Sequence, residues 1–213
     1  MKSVRVHFEK TGRAKYISHL DLNRTMTRAL RRAALPVWYT EGFNRHPYIT
    51  FAAPLSLGYE GLRECMDFRL EEEIPDGEVV DRLNAVMPEG LRIVDCGEAR
   101  MKPADLAAAR WRLWFDCPRS ALEALLAADQ ILVEKRTKKK QLKQIDIRPY
   151  LIDPSLTGDE EGVQMEVTLP CSGETTVNPA LIQTALGAAQ NQPEIAMRAV
   201  RLQLLSKNNT PFC

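Results

Sequence analysis

At 213 residues the chain is long enough for one large domain or two of about 100 residues. Its 45% hydrophobic and 27% charged content is ordinary for a folded globular protein. A net charge of +1 excludes a uniformly basic nucleic-acid coat but leaves room for local basic patches.

Val4, Val6 and Phe8 alternate with Arg5, His7 and Glu9, the period of a half-buried strand. Ser18 then caps a helix, with Asp21 three residues on completing a capping-box-like start. Leu22, Met26, Ala29, Leu30 and Ala33 form its apolar stripe, and Pro36 is expected to end it. A strand over Val37–Thr40, the turn Gly42–Pro47, a strand over Cys65–Leu70, a helix over Glu78–Met87 and a strand over Leu91–Cys96 follow. The inward side of that second helix is Val79, Val80, Leu83, Val86 and Met87. This order is β-α-β-β-α-β.

Gly97–Ala109 reads as a connector. Beyond it Trp111, Leu113 and Phe115 alternate as a strand, Ser120–Asp129 is helical, and Ile131–Arg136 begins the next strand. Val163–Leu169, Pro179–Ala188 and Met197–Leu204 complete strand, helix and strand. The predicted fold class is therefore α+β, two tandem ferredoxin-like domains at residues 1–98 and 110–213, with duplication inferred from element order and not from residue identity.

Arg24, Arg28 and Arg31 fall at i, i+4 and i+7 on one face of the first helix, with Arg32 beside them, opposite the apolar stripe. Asp21 is the only acid between Lys10 and Glu41, so the face has little to pair with. Arginine's planar fork suits phosphate, and Arg13, Lys15, Arg45 and His46 flank the helix in sequence. Asn44, Arg45 and His46 place three hydrogen-bonding side chains in a turn bounded by Gly42 and Pro47, a pattern of binding more than packing.

His19, at the first helical turn, and His46 are the weak candidates for a general acid or base. A metal site from His19, Asp21 and His46 matches no recognised ligand spacing. The stretch Pro54–Gly58–Gly61, with Glu64 and Asp67 beyond, is a candidate phosphate-cradling loop with weak support: it lacks both GxxxxGK[ST] and GxGxxG, and turn chemistry accounts for its glycines. No cofactor is expected.

In the second half Lys135, Arg136, Lys138, Lys139, Lys140 and Lys143 lead into Arg148 as a basic hairpin, a second phosphate-contacting finger whose contribution weakens with salt. Among Trp111, Trp114 and Phe115, alternation assigns Trp111 and Phe115 to the core and leaves Trp114 on the opposite sheet face as a base-stacking candidate. The five cysteines (Cys65, Cys96, Cys117, Cys171, Cys213) are widely spaced, without the CxxC or CxxxCxxC clusters of zinc ribbons and iron–sulfur cradles. With no apolar leader or run near 18 residues, the expectation is a cytoplasmic protein with free thiols and no membrane contact.

The segments YISHLD (Tyr16–Asp21), RALRRAALP (Arg28–Pro36), GFNRHP (Gly42–Pro47), PLSLG (Pro54–Gly58) and EKRTKKKQLKQIDIRPY (Glu134–Tyr150) resemble the radical SAM-linked protein family over nearly the full length. That family is a domain of unknown function found alone or fused behind a B12-binding radical SAM protein. The resemblance implies association with such an enzyme, in trans when the domain stands alone. More distantly, tandem ferredoxin-like domains with an N-terminal histidine resemble the CRISPR RNA-processing endonucleases. This sequence departs from them in having no glycine-rich loop near its C-terminus. The leading expectation is a non-catalytic RNA-binding module presenting RNA to a partner radical SAM enzyme. The alternatives are a metal-independent endoribonuclease and a protein-interaction domain without nucleic acid.

Overall fold

The computed structural model describes residues 1–136, 142–159, 161–172 and 176–212, with backbone alone at 135 and 136. These residues form a mixed α/β protein with mostly antiparallel sheet and, among the described residues, four α-helices. They divide into two compact units, Met1–Leu106 with Arg201–Cys213, and Ala107–Val200. The division near Leu106 falls inside the segment read as a connector, while Arg201–Cys213 groups with the N-terminal unit. Among the described residues no helix is long and apolar enough to cross a membrane.

The first unit runs β1 (Lys2–Lys10), α1 (His19–Arg32), β2 (Ile49–Phe51), β3 (Glu60–Leu70), α2 (Asp76–Asn84) and β4 (Leu91–Glu98). β1 lies between β4 and β3, antiparallel to both, and the three-residue β2 pairs antiparallel with β3. Val4, Val6 and Phe8 of β1, Met66 and Phe68 of β3, and Leu22, Met26, Ala29 and Leu30 of α1 form one core with Val79 and Leu83 of α2. At about 1.5–3 kcal/mol per fully buried large apolar side chain, this shared burial holds the helices on the sheet.

Three local expectations are corrected. β1 is not half-buried, because Arg5 (1% exposed) and His7 (8%) on its other face are covered as well. Pro36 does not stop α1. The helix ends at Arg32 with Ala33 as its cap, and Ala34 turns left-handed at φ 49°. The Arg82 guanidinium of α2 donates to the Ala33 and Ala34 carbonyls at 3.0 and 2.6 Å, satisfying the end of the helix. Val37–Thr40 makes only isolated bridges, Val37 to Leu70 and Tyr39 to Pro47, since the chain is already closing the Thr40–His46 turn.

The second unit runs β5 (Leu106–Phe115), α3 (Arg119–Ala127), β6 (Leu132–Arg136), β7 (Leu142–Asp146), β8 (Ile152–Gly158), β9 (Val163–Pro170), α4 (Pro179–Ala189) and β10 (Met197–Ser206), the last ending in the first unit. Its sheet order is β10-β5-β9-β8, and β6 pairs with β7 as a separate hairpin. The strand begun at Ile131–Arg136 is therefore not the neighbour of β9; β8 takes that place. β6 buries Val133 on one face, with Leu132 exposed on the other, and pairs its edge with β7. β8 carries Pro154 and a bulge with Asp153 at φ 48°, features suited to a sheet edge.

Candidate nucleic-acid interface

The α1 start is set by Ser18, whose hydroxyl accepts from the Asp21 amide at 3.1 Å and donates to the Asp21 carboxylate at 2.7 Å. Asp21 thus closes on the Ser18 side chain, not on its backbone as in a full capping box. Downstream, Arg24, Arg28, Arg31 and Arg32 are all exposed, opposite the buried stripe. Arg24 reaches Asp21 at 3.4 Å in an exposed pair of little energetic weight. Arg31 lies 5.8 Å over the Tyr39 ring. Among the described residues, Arg28, Arg32 and Arg45 have no carboxylate partner.

The PLSLG loop closes on the residue just before the YISHLD segment, the Gly58 amide donating to the Lys15 carbonyl at 2.9 Å. The Lys10 ammonium donates to that carbonyl at 3.3 Å, and Lys15 itself lies 5.2 Å over the Tyr16 ring. His19 packs edge-on against Phe51 of β2 at 5.1 Å, and Phe51 against Phe8 at 6.0 Å. Tyr16, Leu20 and Leu57 remain exposed at 66, 58 and 64%. Leu20 lies on α1 itself, and Tyr16 and Leu57 on the segments joined by the Gly58–Lys15 hydrogen bond.

In the turn, Thr40 and His46 close backbone to backbone at 2.9 Å, Gly42 takes φ 110°, and Phe43 stands fully exposed. His46 Nδ1 donates to the Asn44 carbonyl at 2.8 Å, which fixes the ring and directs Nε2 outward. Beside the turn, Arg69 lies 5.4 Å from both Trp38 and Tyr48. No hydrogen bond or ring contact among the described residues joins the turn to His19 or to Arg28, and the cavities described below are lined by other residues. Among the described residues no three His, Cys, Asp or Glu side chains group as metal ligands, so His19, Asp21 and His46 do not assemble.

The carboxylates beyond Pro54–Gly58–Gly61 have structural partners. Glu64 accepts the buried Arg201 guanidinium, and Asp67 accepts from Arg5 Nε and Nη2 at 2.7 and 2.8 Å. Sequence reasoning missed the polar layer to which they belong. His7 Nδ1 meets Asp95 at 2.5 Å, its Nε2 meets the Phe212 carbonyl at 3.2 Å, and Arg63 donates to Asp95 at 2.6 Å. The Phe212 ring lies 4.2 Å from the Arg5 guanidinium. Burial pushes the Asp95 carboxyl up, but His7 and Arg63 together hold it below the ordinary carboxylate value. Burial also pushes the Cys65 thiol to about 12, so it is no thiolate nucleophile as it stands. A small cavity of about 220 Å³ touches Arg5, His7, Arg63 and Arg100. Its only sequence signal was the Arg5/His7 alternation, which reads equally well as a solvent face.

In the second unit Lys143 is exposed on β7, in register with Lys135 of β6, and half-buried Arg148 follows in a short 3-10 turn. Lys138, Lys139 and Lys140 lie outside the described residues. Trp111, Leu113 and Phe115 are buried and Trp114 occupies the other face, as alternation required.

Residues 3–179 match the family described as "Uncharacterized protein conserved in bacteria (DUF2344)". No curated protein matches the chain. Among solved structures, the "Crystal Structure of an Unknown Protein from Galdieria sulphuraria" is 13% identical over 94% of this chain and 98% of that one, with a TM-score of 0.27, a likeness too slight to carry an argument.

Proposed function

The chain belongs to the DUF2344 family of uncharacterized bacterial proteins, and from that premise we propose that it is a non-catalytic RNA-binding module. The observation that carries this reading is the exposed row Arg24, Arg28, Arg31 and Arg32 beside the exposed Tyr16 of the adjoining motif. Guanidinium groups contact phosphates while aromatic tips stack on bases, the combination used for single-stranded nucleic acid. The basic β6–β7 hairpin is read as a second phosphate contact, and Asn44, Arg45 and His46 as a polar flank. We read both units as ferredoxin-like, a reading supported by the orders β4-β1-β3-β2 and β10-β5-β9-β8. The YISHLD, GFNRHP and PLSLG motifs support a B12-binding radical SAM enzyme as the partner to which RNA is presented. This sequence carries no CxxxCxxC cluster, so the radical chemistry in that reading belongs to the partner.

The test is fluorescence anisotropy of a labelled single-stranded RNA across a salt series, with R24E/R28E/R31E/R32E beside the unaltered protein. Each phosphate contact contributes about 0.7 to the log–log salt slope, so losing four should flatten it by about 3. Unchanged affinity and slope would overturn the reading. The exposed Leu20 and Leu57 favour a second reading, a protein-interaction surface. It gains if the radical SAM partner is retained by the wild type, lost by L20E/L57E, and RNA binds neither form at low salt. A nuclease role for His19 or His46 would instead require RNA cleavage that His19→Ala or His46→Ala abolishes.

A further inference from the structure

We propose that the outer sheet face of the second unit holds a nucleotide, its base stacked on Trp114 and its phosphate met by Arg198. On β5, the burial of Trp111, Leu113 and Phe115 turns Arg110, Arg112 and Trp114 to the other face. The register sets Trp114 beside Gln164 of β9, and Gln164 beside Thr157 of β8. Arg198 of β10 completes the row, its guanidinium 4.8 Å from the Trp114 ring centre. Together these residues line a concavity of about 700 Å³ bounded by Gly158 and Gly162 at the β8–β9 hairpin.

Each wall matches part of a nucleotide. An indole half-open to solvent is a platform for any base, because every base has a π-face. A guanidinium stacked on that indole can lie over the base or swing to its phosphate, since arginine does both. The Gln164 carboxamide donates and accepts, as the edge of a base requires. Gly158, at φ 104°, is required by the β8–β9 hairpin itself, since an added Cβ would run into the Gly162 carbonyl, and Asp116 also lines the concavity, so the phosphate is placed on the Arg198 side. One row down, Glu166 receives both Arg110 and Arg112 at 2.7 to 3.1 Å. Those hydrogen bonds and charges hold its carboxyl below the ordinary value, so this acid's charge is matched and does not repel a phosphate. The volume lies within the range of small-ligand sites and exceeds what a single bare base fills.

The same chemistry could come from a free mononucleotide or from one residue of an RNA strand. The site lies in the second unit and does not involve the α1 arginines, so it stands or falls separately from the RNA reading above. The experiment titrates the full chain with adenosine monophosphate and, separately, with hexa-adenylate, following tryptophan fluorescence and calorimetric heat. Quenching with saturable binding is expected. Trp114→Ala should weaken it at least about tenfold, the scale of one lost base stack, while Trp114→Phe, which keeps an aromatic platform and the fold, should retain most of it. Arg198→Ala should weaken adenosine monophosphate but leave adenosine nearly unaffected. Tight binding of the mononucleotide alone identifies a free nucleotide as ligand, and preference for hexa-adenylate identifies a strand. The fourfold glutamate variant in α1 should leave the mononucleotide signal unchanged. Absence of binding by either probe at millimolar concentration, or binding that Trp114→Ala does not weaken, overturns the proposal.

Discussion

Replacing Glu64 by glutamine leaves a guanidinium stranded inside the first unit. Arg201 and Glu64 have side chains only 3 and 5% exposed, and they meet in a two-pronged pair, Arg201 Nε donating to Glu64 Oε1 at 2.8 Å and Nη2 to Oε2. Arg201 also donates to the Ala53 carbonyl at 2.9 Å and the Pro54 carbonyl at 3.3 Å, tying the chain that leads into the PLSLG loop. Glu64 answers a second cation as well. Lys10 is 1% exposed, and burial pushes its ammonium below the ordinary value, with Glu64 opposing the shift and Arg201 adding to it. Breaking a buried pair by removing one partner costs about 3–5 kcal/mol, because the remaining charge keeps its desolvation penalty without its counterion.

In a chain of this length that loss lowers Tm by about 6–20 °C, at 2–4 °C per kcal/mol. Urea unfolding followed by circular dichroism measures it for Glu64→Gln, Arg201→Met and the pair together. The double variant should be less destabilised than the sum of the singles, since removing both charges also removes the unpaired one. A cost below about 1 kcal/mol for Glu64→Gln, or strict additivity of the two singles, would refute the reasoning.

Three further outcomes follow from local geometry and charge. Gly90 has φ 84°, and an added Cβ would meet the Thr11 carbonyl oxygen at 2.6 Å and Ala14 Cβ at 2.9 Å. Gly90→Ala should therefore cost about 1–3 kcal/mol in urea unfolding, whereas Gly77→Ala, in the α2 first turn with nothing near its Cβ, should stabilise by about 0.5–1 kcal/mol. Asp95 has a folded-state proton affinity below the ordinary carboxylate value near 3.9, so its contribution is present above that pH and is lost as pH falls through the lower, folded value. Asp95→Asn should be less stable than wild type at pH 7, the gap narrowing below about pH 4; a gap that does not change with pH would contradict the His7–Asp95–Arg63 assignment.

Short-range patterns were legible in the residues themselves. The Val4/Val6/Phe8 alternation, the Ser18 cap and the separation of the α1 arginines from Leu22, Met26 and Leu30 each depend on neighbours within one or two turns, so one-dimensional periodicity determines them. The same period put Trp114 opposite Trp111 and Phe115. Burial of the alternate face was decided elsewhere. Arg5 and His7 look like solvent-facing residues until Phe212, at the far end of the chain, packs its ring on one and its carbonyl on the other.

In the same way the α1 end waits for Arg82, the edge beside β9 goes to β8 and not β6, and Glu64 becomes structural only when Arg201 arrives from β10. The sequence by itself determined which faces could be apolar and where cations could gather. Tertiary structure decided which charges are buried and which stay on the surface. The physical reason is that a charge tolerates burial only with a partner, and here Arg5 finds Asp67 62 positions away and Glu64 finds Arg201 137 positions away.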